Sequence, residues 1–271
     1  MIISNFLTNR KSVRDFRDKG ANPDVLDKIK EIIKNLLTEE DLEHIVVKLY
    51  ENGKIISTNL EGKAGYGGVM IDSPHYIAIS LKDTEEKTLI ETGYYTEKLV
   101  TEIINLDFGT CWINVGNLSD DLKKETFGED MANVEYLLAF GKAKRKNPFK
   151  EEPYSVKKGI EEIVYDTEVD NFFTVEDLEA KGLMDIFYYV RFAPSTKNLQ
   201  PWRFLIKDNK IELLLRYNQW YDSILVDAGI AMYYFEQLAT YDGFNSKWEL
   251  VDSQEIKIDE YTYRKIAEYK L

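Results

Sequence analysis

Two short polar stretches stand out for their chemistry. The first is Arg10-Lys11-Ser12-Val13-Arg14, and the second is Pro194-Ser195-Thr196-Lys197-Asn198-Leu199-Gln200-Pro201-Trp202. In an extended segment alternate residues share a face, so Arg10, Ser12 and Arg14 present two guanidiniums and a hydroxyl on one side. Such a donor set suits a phosphate or a carbonyl-rich ring, although a solvated basic turn accounts for so short a run as well. In the second stretch each proline fixes its own φ and pushes the residue before it out of helical geometry. The expectation is therefore an extended, stiff turn that ends a helix and rims a flat polar ligand.

Other chemistry-bearing residues are sparse. His44 and His75 are the only histidines and have no partners at metal-ligand spacing, which argues against a zinc or iron site. Gly62, Gly65, Gly67 and Gly68 form a loop that matches neither a Walker A segment nor a dinucleotide fingerprint, and it reads as a plain loop or a mobile flap. Cys111 lies beside Trp112 in an apolar run, where a buried inert thiol is the simpler reading than a nucleophile. No general acid or base can be named.

The elements that must position these residues follow from hydrophobic periodicity. Val25, Leu26, Ile29, Ile32, Ile33, Leu36 and Leu37 recur at helical spacing behind Asn22 as N-cap, predicting an amphipathic helix over 23–37. Residues 45–50 and 54–57 flank Glu51-Asn52-Gly53 and predict a hairpin. A buried strand is expected over 76–81, and then a long helix over 85–106, apolar on more than one side and so central to the fold. A strand at 111–113, a helix over 120–127 and a strand over 136–140 complete the first half, and 142–158 reads as a charged linker. In the second half 203–206 followed by Asp208-Asn209 predicts a hairpin, and 263–271 a last strand.

With 271 residues, 44% hydrophobic and 31% charged, the chain has the composition of a soluble globular protein able to bury a sizeable core. A formal net charge of -13 argues against a nucleic-acid partner. A single cysteine excludes an internal disulfide and fits a reducing cytoplasm. No apolar run approaches membrane-spanning length and the first residues do not form a secretory signal, so a cytoplasmic protein without membrane partners is expected.

The two halves echo one another. Laid over each other at an offset of 136 residues, Gly93 falls on Gly229, Phe108 on Phe244, Trp112 on Trp248, and Ile90-Glu91 on Val226-Asp227. These coincidences lie within one helix-strand unit, which points to an internal duplication. The polar motifs are not duplicated: the counterpart of the proline turn, 37–44, is acidic and lacks proline, and the counterpart of the Arg-x-Ser-x-Arg segment, near 162–166, has no arginine.

Together, Arg10 to Arg14 and Pro194 to Trp202 resemble the flavin-dependent nitroreductase family. In that family an Arg-x-Ser-x-Arg segment binds FMN and a Pro-Ser-x-x-Asn-x-Gln-Pro-Trp turn from the other subunit of a dimer closes over it. The family keeps both motifs in one short N-terminal region, whereas here Arg14 and Pro194 are 180 residues apart. The resemblance thus implies a duplicated α+β nitroreductase-like fold in one chain, a pseudo-dimer of antiparallel sheets flanked by helices. Residues 1–155 would form the half with the arginine segment, and 156–271 a degenerate half with the proline turn.

The resemblance further assigns Arg10, Ser12 and Arg14, with Lys11 beside them, to the phosphate, ribityl chain and pyrimidine edge of FMN. Pro194, Ser195, Thr196 and Asn198 would line the ring faces, with Gln200 nearby and Trp202 in the core. Val115 and Gly116, with Asn114, occupy the place where the family offers a backbone amide to flavin N5, and Lys144 and Arg145 that of its basic tail, with a solvated linker as the alternative. The implied activity is reduction of nitroaromatic, quinone-like or other electron-poor small molecules by NADH or NADPH. One flavin per monomeric chain is expected. The alternatives are a flavin-binding protein with little or no turnover, and another reaction of the superfamily such as dehalogenation or flavin breakdown.

Overall fold

The computed structural model describes residues 10–66, 68–145, 155–169 and 171–271. The linker residues 146–154 and Gly67 lie outside them. The chain forms two compact units, one of Met1–Thr84 and Lys98–Glu151, the other of Glu85–Glu97 and Glu152–Leu271. Among the described residues no helix is long and apolar enough to cross a membrane.

The first unit is built on an antiparallel sheet of β1 (Ile45–Tyr50), β2 (His75–Leu81), β3 (Gly109–Asn114) and β4 (Val134–Gly141), in the order β1-β2-β4-β3. β2 is buried along its whole length, as its apolar sequence and its place between two neighbours require. The Pro23–Glu39 helix buries Leu26, Ile29, Ile33 and Leu36, one face at helical spacing. Asn22 precedes it in extended conformation, but its side chain makes no capping bond; its carbonyl takes the Val25 and Leu26 amides instead.

The hairpin expected around Glu51-Asn52-Gly53 does not form. Gly53–Leu60 is a helix that buries Ile56 and Leu60, and β1 pairs with β2 over six residue pairs from Ile45↔Leu81 to Tyr50↔Tyr76. The reason is competition between partners: β2 offers a fully buried six-residue ladder, whereas 54–57 could offer only a short one. The Gly53 amide is claimed by the Pro74 carbonyl, at 2.8 Å.

The second unit repeats this plan. β6 (Trp202–Lys207) and β7 (Lys210–Tyr217) form the expected hairpin, the Ser223–Tyr241 helix follows, then β8 (Trp248–Leu250), β9 (Ile256–Ile258) and β10 (Tyr261–Lys270). The order is β6-β7-β10-β8, all antiparallel, with β9 on the edge of β10 and the short β5 (Val164–Asp166) parallel to β6. In both units the first two strands are neighbours, a long helix follows, and the last strand inserts between the second and third. The fold is thus α+β, nitroreductase-like, with one topology used twice.

The duplication is also visible in a helix crossing within the second unit. A Cβ placed on Gly93 would lie 2.8 Å from the Val226 carbonyl carbon, and closer still to its oxygen. One on Gly229 would lie 2.9 Å from the Ile90 carbonyl carbon and again closer to the oxygen. Gly93 and Gly229 are equivalent in the repeat, as are Ile90 and Val226, so the contact is reciprocal, as at an isologous interface. Only glycine lets the two backbones meet. Around the crossing Tyr94 donates to Glu236 Oε1 at 2.6 Å and packs edge-on against Tyr233.

Candidate functional site

The arginine segment is bound to the sheet of the first unit as a short added strand. Ser12 bridges Thr110 in parallel and the Val13 amide donates to the Thr110 carbonyl at 2.9 Å. Phe16 then bridges Ala143, the Arg17 amide donates to Lys142 O at 2.8 Å, and the Lys144 amide to Asp15 O at 3.0 Å. The cause is hydrophobic: Val13 and Phe16 are buried in the core with Cys111, Ile113, Val115 and Ala139. Gly109 permits the approach, because a Cβ there would meet the Val13 side chain. With Val13 inside, Arg14 is exposed and Ser12 half-buried.

These side chains gather around Cys111. Arg14 lies over the ring of Tyr66, 5.0 Å from its centroid. The Tyr66 hydroxyl stands 3.9 Å from Cys111 Sγ and donates to the Trp112 carbonyl at 3.3 Å. Burial pushes the Cys111 thiol up, and Arg14, Tyr66, Arg10 and Ser12 pull it back. Arg10, Ser12 and Arg14 thus act on the same thiol, and burial, which outweighs them, leaves Cys111 inert as a nucleophile. Tyr66 is the member that sequence reasoning missed. It comes from the glycine loop, where Gly65 at φ 91° and Gly68 at φ 85° let Tyr66 and Val69 close a tight turn.

Other residues of this unit sit at its margin. Lys11 and Arg145 are exposed, and the Lys144 ammonium pairs with Asp15 at 2.9 Å. Asn114 ends β3. Beyond it the Val115 amide donates to Glu135 O at 2.9 Å and the Gly116 amide to Asn114 Oδ1 at 3.1 Å. An amide hydrogen bond from Gly116 to a ligand therefore requires Asn114 to swing away, and one from Val115 requires a sheet bond to open.

In the second unit the proline turn is not extended. Thr196–Asn198 makes a single tight helical turn, and Lys197, Asn198 and Gln200 take positive φ of 51°, 58° and 49°. The prolines constrain only their neighbours; inside the turn, hydrogen bonding decides, at the cost that left-handed backbone imposes on non-glycine residues. Asp227, from the second turn of the Ser223–Tyr241 helix, accepts the Thr196 amide at 2.9 and 3.0 Å and the Thr196 hydroxyl at 3.2 Å. Lys157 donates to Ala193 O at 2.9 Å and to Asn198 Oδ1 at 3.1 Å. Asn198 Nδ2 donates to Val156 O at 2.7 Å, and Gln200 Oε1 accepts the Lys158 amide at 2.9 Å. Gln200 takes the Ser195 hydroxyl oxygen as acceptor for its own amide, at 3.0 Å, and is buried. Arg203, also buried, donates to the carbonyls of Gln200 at 2.9 Å and Trp202 at 2.6 Å. Pro194 is half-buried, and Trp202 is in the core, packed out of contact with solvent.

The family described as "Putative TM nitroreductase" matches residues 3–239. The chain belongs to this family. A crystal structure described as a "putative nitroreductase", from Thermotoga maritima MSB8, is similar over 98% of this chain and 94% of its own, at 21% identity and a TM-score of 0.59, a likeness that concerns the fold. A nitroreductase with bound FMN from Bacteroides fragilis NCTC 9343 aligns over 57% of this chain and 95% of its own, at 17% identity and a TM-score of 0.46. An FMN-dependent nitroreductase from Clostridium difficile R20291 aligns over 53% of this chain and 88% of its own, at 20% identity and a TM-score of 0.43. No curated protein matches.

As a nitroreductase-family chain, the protein carries two polar centres that differ in character. That of the first unit is cationic and partly open, with Arg14 and Tyr66 exposed. That of the second is a closed hydrogen-bonded turn whose acid, Asp227, is 2% exposed and pushed by burial up to about 8. In the sequence Asp227 stands out only as the repeat partner of Glu91, and the signal that could have marked it is an acid inside the apolar run from Ile224 to Met232.

Proposed function

We propose that the chain is an FMN-dependent oxidoreductase that takes electrons from NADH or NADPH and reduces an electron-poor small molecule, of the nitroaromatic or quinone kind. The observation that carries this reading is the fixed Arg10-Ser12-Arg14 segment of a nitroreductase-family chain, tied to the sheet at Thr110. Its donors fit a phosphorylated flavin: guanidiniums pair with phosphate and stabilise the negative charge that collects at the pyrimidine edge on reduction, and the hydroxyl serves the ribityl chain. Bound FMN would supply the hydride and electron transfer; the protein's part is to bind, orient and polarise. Lys11, Lys144 and Arg145 add positive charge at the margin of that segment, and Asn114, Val115 and Gly116 lie at and just beyond the end of the strand that it flanks. Pro194, Ser195, Thr196, Asn198 and Gln200 are assigned to flavin binding through the family resemblance.

Because each motif occurs once, we infer one flavin per chain, in a chain that acts as a monomeric pseudo-dimer. The test is direct. Purified protein incubated with FMN and desalted should be yellow, with about one flavin per chain, and NAD(P)H under anaerobic conditions should bleach it. Arg14→Ala should weaken flavin binding by roughly tenfold or more, the loss expected for a charge-assisted hydrogen bond. A colourless protein that takes up no FMN rejects the assignment, and a yellow one that NAD(P)H cannot reduce rejects the oxidoreductase activity while leaving flavin binding.

A further inference from the structure

The turn from Ser195 to Gln200 holds three non-glycine residues at positive φ within four positions. A strained backbone persists only where its surroundings over-determine it. Here the surroundings are the side chains of Asp227, Lys157 and Arg203, of which Asp227 is the most costly to the fold. It lies in a helix whose neighbouring residues Leu225, Val226, Ala228 and Ile230 are all buried, and is itself 2% exposed. An apolar side chain of similar volume would be cheaper there. The equivalent residue of the other repeat, Glu91, keeps part of its side chain in solvent and faces Lys87 at 3.6 Å. An acid thus stands at this helix position in both repeats, and it is sunk into the core only in the one that carries the turn.

We propose that Asp227 is a positioning residue: through the amide and hydroxyl of Thr196 it holds the Ser195–Gln200 turn in the one conformation in which it meets the flavin. Lys157 braces the same turn through Ala193 O and Asn198 Oδ1. The proposal rests on the assignment of this turn to FMN binding, so its test has one arm that needs no flavin.

That arm is amide hydrogen exchange of the flavin-free full-length protein, read by mass spectrometry on peptides covering 193–201. In Asp227→Ala, which removes both acceptor oxygens, exchange of these peptides should rise about tenfold or more, with the strands of the same unit unchanged. Thr196→Val, which removes the hydroxyl arm alone and keeps the amide, should give a smaller rise. The second arm is FMN affinity by flavin fluorescence, which should fall about tenfold in Asp227→Ala and remain unchanged in Asp222→Asn, an exposed acid at the start of the same helix.

Unchanged exchange in the turn overturns the clamp. Exchange that rises throughout the unit overturns it too, because Asp227 would then be a general structural residue. A loosened turn with unaltered FMN affinity overturns the positioning role. Wild-type protein that binds no FMN refutes the cofactor assignment and, with it, the positioning of flavin, while the exchange arm still decides whether Asp227 governs the turn.

Discussion

The helix crossing at Gly93 and Gly229 makes a prediction whose sign is unusual. Replacing glycine by alanine inside a helix ordinarily stabilises it by about 1 kcal/mol, because alanine loses less conformational freedom. Here the added methyl at residue 93 would sit 2.8 Å from the Val226 carbonyl carbon and 3.1 Å from the Ile230 nitrogen. At residue 229 it would sit 2.8 Å from the Tyr94 nitrogen. These neighbours are backbone, so no rotamer change relieves the contact, and with the carbonyl oxygens nearer still the helices must separate by about an ångström or more to reach ordinary contact. Such overpacking costs about 3 kcal/mol, at the upper end of its usual range. Set against the propensity gain, each variant should lose about 2 kcal/mol, or roughly 4–8 °C in melting temperature for a domain of this size.

The reciprocal geometry adds a second expectation. Once one methyl has forced the helices apart, the other meets less resistance, so the double variant should lose clearly less than the sum of the two. Thermal melts followed by circular dichroism, with urea midpoints as a second probe, measure both effects. An alanine variant that melts at or above the wild type, or strictly additive losses, refutes the close reciprocal crossing.

Three further outcomes follow from named groups. His75 accepts the Ala21 amide at Nε2, at 2.8 Å, and donates from Nδ1 to Glu51 O at 2.6 Å, and burial lowers its pKa below 6.5. The unfolded chain therefore binds a proton that the folded one resists, so stability should fall as pH drops through 6.5 toward the folded value; urea midpoints between pH 7 and 5 should fall less steeply in His75→Gln. Asp227 shifts the other way: held at about 8 against an ordinary 3.8, it keeps its proton in the folded state, so its contribution declines as pH rises from about 4 to about 8, and Asp227→Asn should remove that slope. Thr174 caps the Val175–Ala180 helix, accepting the Asp177 amide at 3.1 Å and donating to its carboxylate at 2.6 Å, so Thr174→Ala should cost about 1 kcal/mol in denaturant titration.

Much of this protein could be read from the order of its residues. The Pro23–Glu39, Glu86–Asn105 and Asp120–Phe127 helices, the β6–β7 hairpin and the equivalence of Gly93 with Gly229 all leave local or periodic traces, because burying one face forces apolar residues into fixed spacing. The arginine segment was legible for the same reason: its chemistry lies in side chains that alternate along an extended strand. What the order of residues left open was the choice among partners. That β1 pairs with β2 while 53–60 turns helical depends on a strand 25 residues further on. That Tyr66 reaches Cys111 beneath Arg14, and that Asp227 reaches Thr196, depends on side chains distant in sequence meeting in a packed interior. Propensity and periodicity carry only near-neighbour information, whereas a buried polar group takes whichever partner the tertiary structure brings within hydrogen-bonding distance. Sequence alone singled out the polar segments, and the tertiary structure decided what holds them.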